Sequence, residues 1–527
     1  MGKDLRTTAV EMKLHRYGKL DTSAWHLKNA QPFFPPLERL FKTENVASLS
    51  DYGVRLSEQV QSVVDKDTIR TSRGKVVPIH RKTTTILSPF KWMRGDYGVI
   101  GLPKPSDTAD EMHALLQGTN TAGYVGALAS IALSESGCPH FPRVYGVYTG
   151  LAEKHTIDIS DDYEDLSDRR WFGDNIGKTF ELKLRTNDQT GEFKHTRGQR
   201  PGVHLGDDTE IEVDDIQVEH VSQPSSRSIT RSTQSSETIE NDDNESDDST
   251  DVFEIHSCDC PDDEDDDEDD DDYEDEPFAW ATFADIPVIT TIMEKCEGTF
   301  YDLFKQYPTD TEKHSAWVAQ IVLALAFAQR NYGFVHNDLH GNNVMYVPTT
   351  QEYLYYKHSG VCYKVPTYGY LMKIIDFDRC IVSLRLFGMK EPRQFVSSQF
   401  LPNEEAAGQY NMEPFFDQKH PHIGPSSSFD LCRFATSVFW DMFPEGPDSD
   451  STHPLFEVFK QWMQEEDGTS AMFRARRDNH DRYHGFDLYK AIARYCKNAV
   501  PRREIPKLLA FRVSNVPLES QCLFIEN

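Results

Sequence analysis

The chain has 527 residues, 38% of them hydrophobic and 27% charged, with a formal net charge of −31. The hydrophobic share is ample for a packed core, and without an apolar run of membrane-crossing or secretory-leader type the expectation is an intracellular protein with no membrane partner. Residues 207–276 hold 31 Asp or Glu against 2 Arg, a net of −29, so the rest carries only −31 + 29 = −2 and the acidity describes one segment rather than the folded body.

In chain order, residues 1–45 mix basic residues with the apolar cluster QPFFPPLERLF, a candidate short helix after Pro35-Pro36. Arg6 stands where N-myristoylation wants Ser or Thr. VVPIHRKTTTIL (76–87) is rich in β-branched residues and predicts a strand, followed by the turn-rich connection PFKWMRGDYG. TAGYVGALASIALS (121–134) predicts a helix despite its glycines, and FPRVYGVY (141–148) a strand. A long interruption then runs over 151–277, with a candidate ordered part at WFGDNIGKTFELKL and a second half whose self-repulsion predicts disorder. Its Ser and Thr between 222 and 250 are candidates for acidophilic phosphorylation, and its charge would suit a basic protein partner. The nine cysteines are scattered without paired CxxC sets, so neither a zinc site nor a disulfide framework is expected, and Cys258 with Cys260 reads as a pair in an unstructured stretch.

Order resumes at ADIPVITTIMEKCEGT (284–299), an apolar strand ending in a polar turn. SAWVAQIVLALAFAQRNY (315–332) is apolar round most of its circumference and predicts a buried helix. Two stretches that follow carry chemistry: FVHNDLHGNNV (334–344) and KIIDFDR (373–379). Phosphoryl transfer asks for one carboxylate at the acceptor hydroxyl and oxygen ligands for the metal on the phosphates. His336, Asp338 and Asn343 stand at the spacing H-x-D-L-x-x-x-N, with Asp338 as the acid/base candidate and Asn343 as a metal ligand. Asp376, after the apolar Ile374-Ile375, is the second metal-ligand candidate. The bland alternative is a polar loop in which Asp338 caps a turn, followed by an unrelated buried strand. SFDLCRFATSVFW (428–440) is another mostly apolar helix candidate, with Asp430 near its start.

Together, HNDLHGNNVMY, VPTYGYLMKIIDFDR, AAGQYN (406–411), SFDLCRFATS and HGFDLYKAIARY (484–495) resemble the serine/threonine protein kinase-like proteins of large nucleocytoplasmic DNA viruses, the iridoviruses and their giant relatives. The resemblance covers most of the chain outside the acidic segment. It implies an α+β, two-lobed protein kinase-like fold: an N-terminal extension and small β-rich lobe in 1–150, an insertion in 151–277, the last small-lobe strand and hinge in 278–300, and a larger, mostly helical catalytic lobe in 301–527. It also implies ATP with Mg²⁺ or Mn²⁺, protein substrates with Ser/Thr acceptors, no direct nucleic-acid binding, and residence in host cytoplasm or virion. Lys82 takes the place of the lysine that touches the nucleotide phosphates, with Lys91 the competing choice. Met293, Glu294, Lys295 and Cys296 would line the adenine pocket, mostly through backbone groups, and Glu297 would reach the ribose. Asp430 would hydrogen-bond the catalytic-loop backbone.

The chain also departs from the family pattern. Asp378 replaces the glycine of D-F-G, and His340 replaces the lysine that contacts the transferred phosphate. SLSDYGV keeps only Gly53 of a glycine-rich loop, no A-P-E element is evident, and no helix glutamate stands out as a partner for Lys82. The stretch between Asn343 and Asp376 is longer than in ordinary protein kinases, which predicts an enlarged hairpin through YLYYKHSGVCYKVPTYGY. Two other functions therefore stay open: a small-molecule phosphotransferase of the aminoglycoside or choline kinase type, favoured by His340 and Asp378, and a pseudokinase serving as scaffold or virion component, favoured by the missing glycine loop.

Overall fold

The computed structural model describes residues 12–33, 51–98, 122–185, 252–255, 278–386, 390–401, 404–474, 482–483, 485–514 and 522–525. Most of the QPFFPPLERLF cluster, the Ser/Thr-rich stretch, the cysteine pair and the acidic run lie outside the described residues. Helices and strands are mixed through the chain.

Near the N-terminus, β1 (Leu14–Arg16) pairs antiparallel with β3 (Tyr52–Val54). β2 (Leu27–Pro32), β4 (Val60–Asp65), β5 (Thr68–Thr71), β6 (Val76–Thr85), β7 (Val144–Ala152) and β11 (Ile286–Glu294) form one antiparallel sheet in the order β2-β7-β11-β6-β5-β4. β11 is central and carries Val, Ile and Thr on both faces, the composition of a strand covered on two sides. The connection PFKWMRGDYG, read from sequence as turns, contains the short helix α1 (Pro89–Arg94). Pro89 opens it with its ring-fixed φ, and Gly95 closes it at φ 85°.

Helix α2 (Ala122–Glu135) lies against the sheet with nearly every side chain buried. Its glycines are sites of close approach: a Cβ on Gly123 would stand 2.7 Å from Ile289, and one on Gly126 would stand 2.1 Å from the Asp378 carboxylate. The first part of the interruption is folded. β8 (His155–Asp158), β9 (Glu181–Arg185) and β10 (Phe278–Phe283) form a sheet in the order β8-β10-β9, with α3 (Tyr163–Ser167) and α4 (Arg170–Asn175) in the connection. Trp25, Phe172, Phe180, Phe283 and Ile292 share a second, smaller core there.

A short β12 (Gly298–Thr299) leads into α5 (Phe300–Gln306), which starts in a reciprocal cap between Thr299 and Asp302. Helix α6 (Thr311–Tyr332) is capped by Asp310 and stopped by Gly333 at φ 53°. Trp317, Leu323 and Leu325 are fully buried, so α6 forms the axis of the larger core. β13 (Val344–Pro348) pairs with β12 and β16 (Tyr370–Ile374). Between β13 and β16 runs the hairpin expected from the sequence, β14 (Tyr353–His358) with β15 (Val361–Pro366). After β17 (Ile381–Leu384) and β18 (Arg393–Val396), helices α7 (Phe429–Met442), α8 (Phe456–Trp462), α9 (Asp487–Tyr495) and α10 (Pro501–Glu504) complete this core. β19 (Arg512–Val513) and β20 (Cys522–Phe524) flank the hairpin, β20 in parallel.

A polar seam ties the segment leading into β7 and the end of β11 to β16. The Ile374 amide donates to the His140 carbonyl at 2.8 Å, and His140 Nδ1 donates to the Met372 carbonyl at 2.9 Å. Lys373 Nζ lies 2.9 Å from the Glu294 carboxylate and 3.3 Å from the Phe141 carbonyl. No helix among the described residues is long and apolar enough to cross a membrane.

Candidate active site

The site is built where α6 ends. Gly333 turns the chain, and Val335 exchanges backbone hydrogen bonds with Ile381 at 3.0 and 2.9 Å. The next two amides, of His336 and Asn337, both donate to the buried Asp430 carboxylate at 3.0 Å. Asp430 comes from the first turn of α7, so the helix expected to bear on this loop does so. Asn337 adopts φ 66°, a left-handed conformation held by its amide nitrogen on the Val335 and Arg379 carbonyls and by Tyr410, whose hydroxyl donates to it at 2.6 Å. His336 donates through Nε2 to the Ile375 carbonyl at 2.7 Å and accepts the Asp338 amide on Nδ1 at 3.2 Å. Asp338 is therefore positioned by a chain of buried hydrogen bonds.

The Asp338 carboxylate accepts the Tyr489 hydroxyl of α9 at 2.7 Å and lies 3.6 Å from the Arg379 guanidinium. Burial alone would raise its pKa; the charge of Arg379 first, then His340, Arg433 and the Tyr489 bond, outweigh burial and hold it at about 2. Asp338 is thus ionised across the neutral range. His340 is pushed down to about 4 by burial, against the opposing pull of Asp338, and is a neutral imidazole at pH 7. Asn343 spends its amide nitrogen on the Asp338 carbonyl at 2.9 Å and on His340 Nε2 at 3.2 Å, so its oxygen is the atom suited to a metal.

Asp376 follows directly on the Ile375 amide, which donates to the Asn343 carbonyl at 3.0 Å. It adopts φ 62°, the strained region that L-residues occupy when surrounding contacts impose it. Lys82, from β6, places Nζ 2.6 Å from the Asp376 carboxylate and 2.9 Å from that of Asp378. Burial opposes charge on all three groups. Lys82 nevertheless holds Asp376 below its ordinary value, whereas burial and the neighbouring Asp376 push Asp378 up. Of the two competing lysines, Lys82 faces this cluster and Lys91 is exposed on α1.

The predicted hinge residues fall at the end of β11. Met293 is buried, and the Glu294 side chain is committed to Lys373 at 2.9 Å. Burial pushes the Cys296 thiol up to about 12, which keeps it an unreactive thiol. Glu297 is exposed, and its amide donates to the Tyr346 carbonyl at 2.9 Å. Asp376 and Asn343 fit a magnesium ion that takes few protein ligands and completes its shell with phosphates and water. No group of three His, Cys, Asp or Glu among the described residues forms a cage of its own.

Three contributors were not found from sequence: Tyr489, Arg379 and Arg433. Arg433 lies over the Tyr489 ring at 4.8 Å, so the three surround Asp338 as one group. Tyr489 sits in the quoted HGFDLYKAIARY stretch, but its contact with Asp338 spans 151 residues and has no local signature.

No family model matches the chain. It is 34% identical over 62 residues to the uncharacterized protein ZK177.2 of Caenorhabditis elegans, covering 12% of this chain and 21% of that one. It is 40% identical over 62 residues to the uncharacterized protein 098R of Invertebrate iridescent virus 6, covering 11% of this chain and 10% of that one. The matches thus span about a fifth and a tenth of those relatives' lengths.

Proposed function

We propose that the chain is an ATP-dependent protein kinase that transfers the γ-phosphate to Ser or Thr of protein substrates, with the kinase-like proteins of large DNA viruses as its family and host cytoplasm or virion as its setting. One observation carries the reading: Lys82 from β6, Asp338 and Asn343 from one loop, and Asp376 from the turn after β16 come together. In this reading the β4-β5-β6-β11-β7 sheet with α2 is the small lobe, and the core around α6 and α7 is the large lobe. The partial similarity to an iridovirus protein agrees with the viral setting alone.

Asp338, ionised at neutral pH, accepts a hydrogen bond from the acceptor hydroxyl and orients its oxygen for in-line attack. So acidic a carboxylate takes the proton only late, once the phosphate–oxygen bond is largely formed. Lys82 binds the nucleotide phosphates from the sheet side, and Asn343 and Asp376 offer oxygens to the cation. Mg²⁺ or Mn²⁺ supplies neutralisation of charge on the transferring phosphate. Neutral His340 gives the transferred group a hydrogen-bonding partner without a full positive charge. That feature also favours a second reading, a small-molecule phosphotransferase.

The test is transfer of labelled phosphate from ATP with Mg²⁺ or Mn²⁺ to a panel of proteins and small alcohols, with Asp338→Ala alongside. The expected result is label on Ser or Thr, reduced at least about 100-fold in the variant. Label on small alcohols alone would establish the second reading, and nucleotide binding without transfer to any acceptor would leave a scaffold.

A further inference from the structure

Lys82 has two carboxylate partners, and they come from one turn. Asp376 lies at 2.6 Å and Asp378 at 2.9 Å. Asp376 is the residue placed to give its oxygens to a cation, which leaves Asp378 as the anion dedicated to the lysine. Its second oxygen is held too: Thr84, two residues along β6 and therefore on the same face as Lys82, donates to it at 3.0 Å.

Helix α2, which packs on this sheet, sends no carboxylate to Lys82. The acidic residue of AGYVGALASIALSE is Glu135 in its last turn, and that side chain accepts the Ser57 amide and hydroxyl at 3.1 and 3.0 Å. Where α2 passes the turn it has Gly126. A Cβ there would stand 2.1 Å from Asp378 Oδ1 and 3.2 Å from Asp378 Cα, so a side chain at 126 and the carboxylate at 378 exclude one another. Glycine is costly inside a helix, and here the space it leaves is filled by the anion.

We infer that Asp378 is the positioning residue for Lys82, occupying the seat opened by Gly126, so that the lysine is set against the nucleotide phosphates by the metal-binding turn rather than by a carboxylate on the helix. The inference rests on the phosphotransferase reading. It gives Asp378 a role that a glycine at this turn could not fill. The lysine's anion and the metal ligand Asp376 move together, so assembly of the phosphate site does not wait for rotation of α2.

The experiment measures equilibrium binding of a fluorescent ATP analogue, with and without Mg²⁺, beside KM and kcat for ATP and the thermal midpoint of each variant. Asp378→Asn and Gly126→Ala should each weaken binding at least about tenfold and raise KM for ATP while the protein still melts cooperatively. Gly126→Ala is informative because alanine favours a helix, and loss of nucleotide affinity without loss of stability is foreign to a merely structural glycine. The decisive variant moves the charge: Asp378→Gly should lose binding, and Asp378→Gly with Gly126→Asp, whose carboxylate reaches the vacated position, should regain it to within about threefold of wild type. Wild-type affinity in Asp378→Asn, or no recovery in a stably folded double variant, would overturn the inference and leave the phosphotransferase reading standing. A wild-type chain that binds no nucleotide would overturn both.

Discussion

Asp430 and Tyr489 act on the same loop in different ways. Asp430 is an acceptor for two buried amides, and Asp430→Ala leaves both without a partner inside the core. We expect a loss of about 3 kcal/mol of stability in denaturant unfolding, with much of it recovered by Asp430→Asn, which keeps one acceptor oxygen. Tyr489→Phe deletes the donor to Asp338 while leaving the ring stacked under Arg433. The Asp338 pKa should then rise from about 2, and because the proposed phosphate transfer uses the ionised form, the acidic limb of its pH–rate profile should move to higher pH. At this scale the motif spacing made Asp338, Asn343 and Asp376 readable, since short contiguous segments carry them. Tyr489, Arg379 and Arg433 were not readable: their meaning lies in contacts across the fold, and a tyrosine on an amphipathic helix has no local mark of such a role.

Among elements, α6 was visible from its apolar circumference, and Trp317 shows what that run is for. It is fully buried, and its indole nitrogen donates to the Thr367 carbonyl at 3.4 Å. Trp317→Ala should cost about 3–5 kcal/mol, whereas Thr299→Ala, which removes one side of the α5 cap, should cost about 1 kcal/mol, both read from urea midpoints at unchanged slope. The hairpin β14–β15 was legible as extra length between two anchored motifs. Helix α1 was not, because six residues bounded by Pro89 and Gly95 carry the same punctuation as a loop. The glycines of α2 argued against a helix in the sequence. They are explained by the nearness of Ile289 and Asp378, which no single segment reveals.

For the molecule as a whole, one buried and two half-buried histidines set the response to acid. His140, His340 and His453 are all held near pKa 4 with burial as the first cause. Protonation would give His140 a second donor facing the Tyr356 hydroxyl at 2.6 Å, with Lys373 nearby adding to the penalty. The unfolded chain takes up these protons below about pH 6.5 and the folded chain only near 4, so stability should fall as pH drops through that window and level off above it. Asp338, depressed to about 2, does not oppose this, since its contribution is lost only at lower pH. Thermal midpoints taken from pH 7.5 to 4.5 should show the decline, with a shallower slope in His140→Gln.

The seam between β16 and the strand ends of the six-stranded sheet has a mechanical consequence. The Ile374 amide on the His140 carbonyl and the Lys373 ammonium between Glu294 and Phe141 pin the segment leading into β7 and the end of β11 to β16. The larger core runs on from Val147 and Ile289 of the sheet through α2 to α6, so the seam closes one side of a continuous packed body and its bonds break only when that body opens. In deuterium exchange the Ile374 amide should be among the slowest of the chain, exchanging at the rate of global opening, while amides of the mostly exposed edge strand β4 exchange much faster.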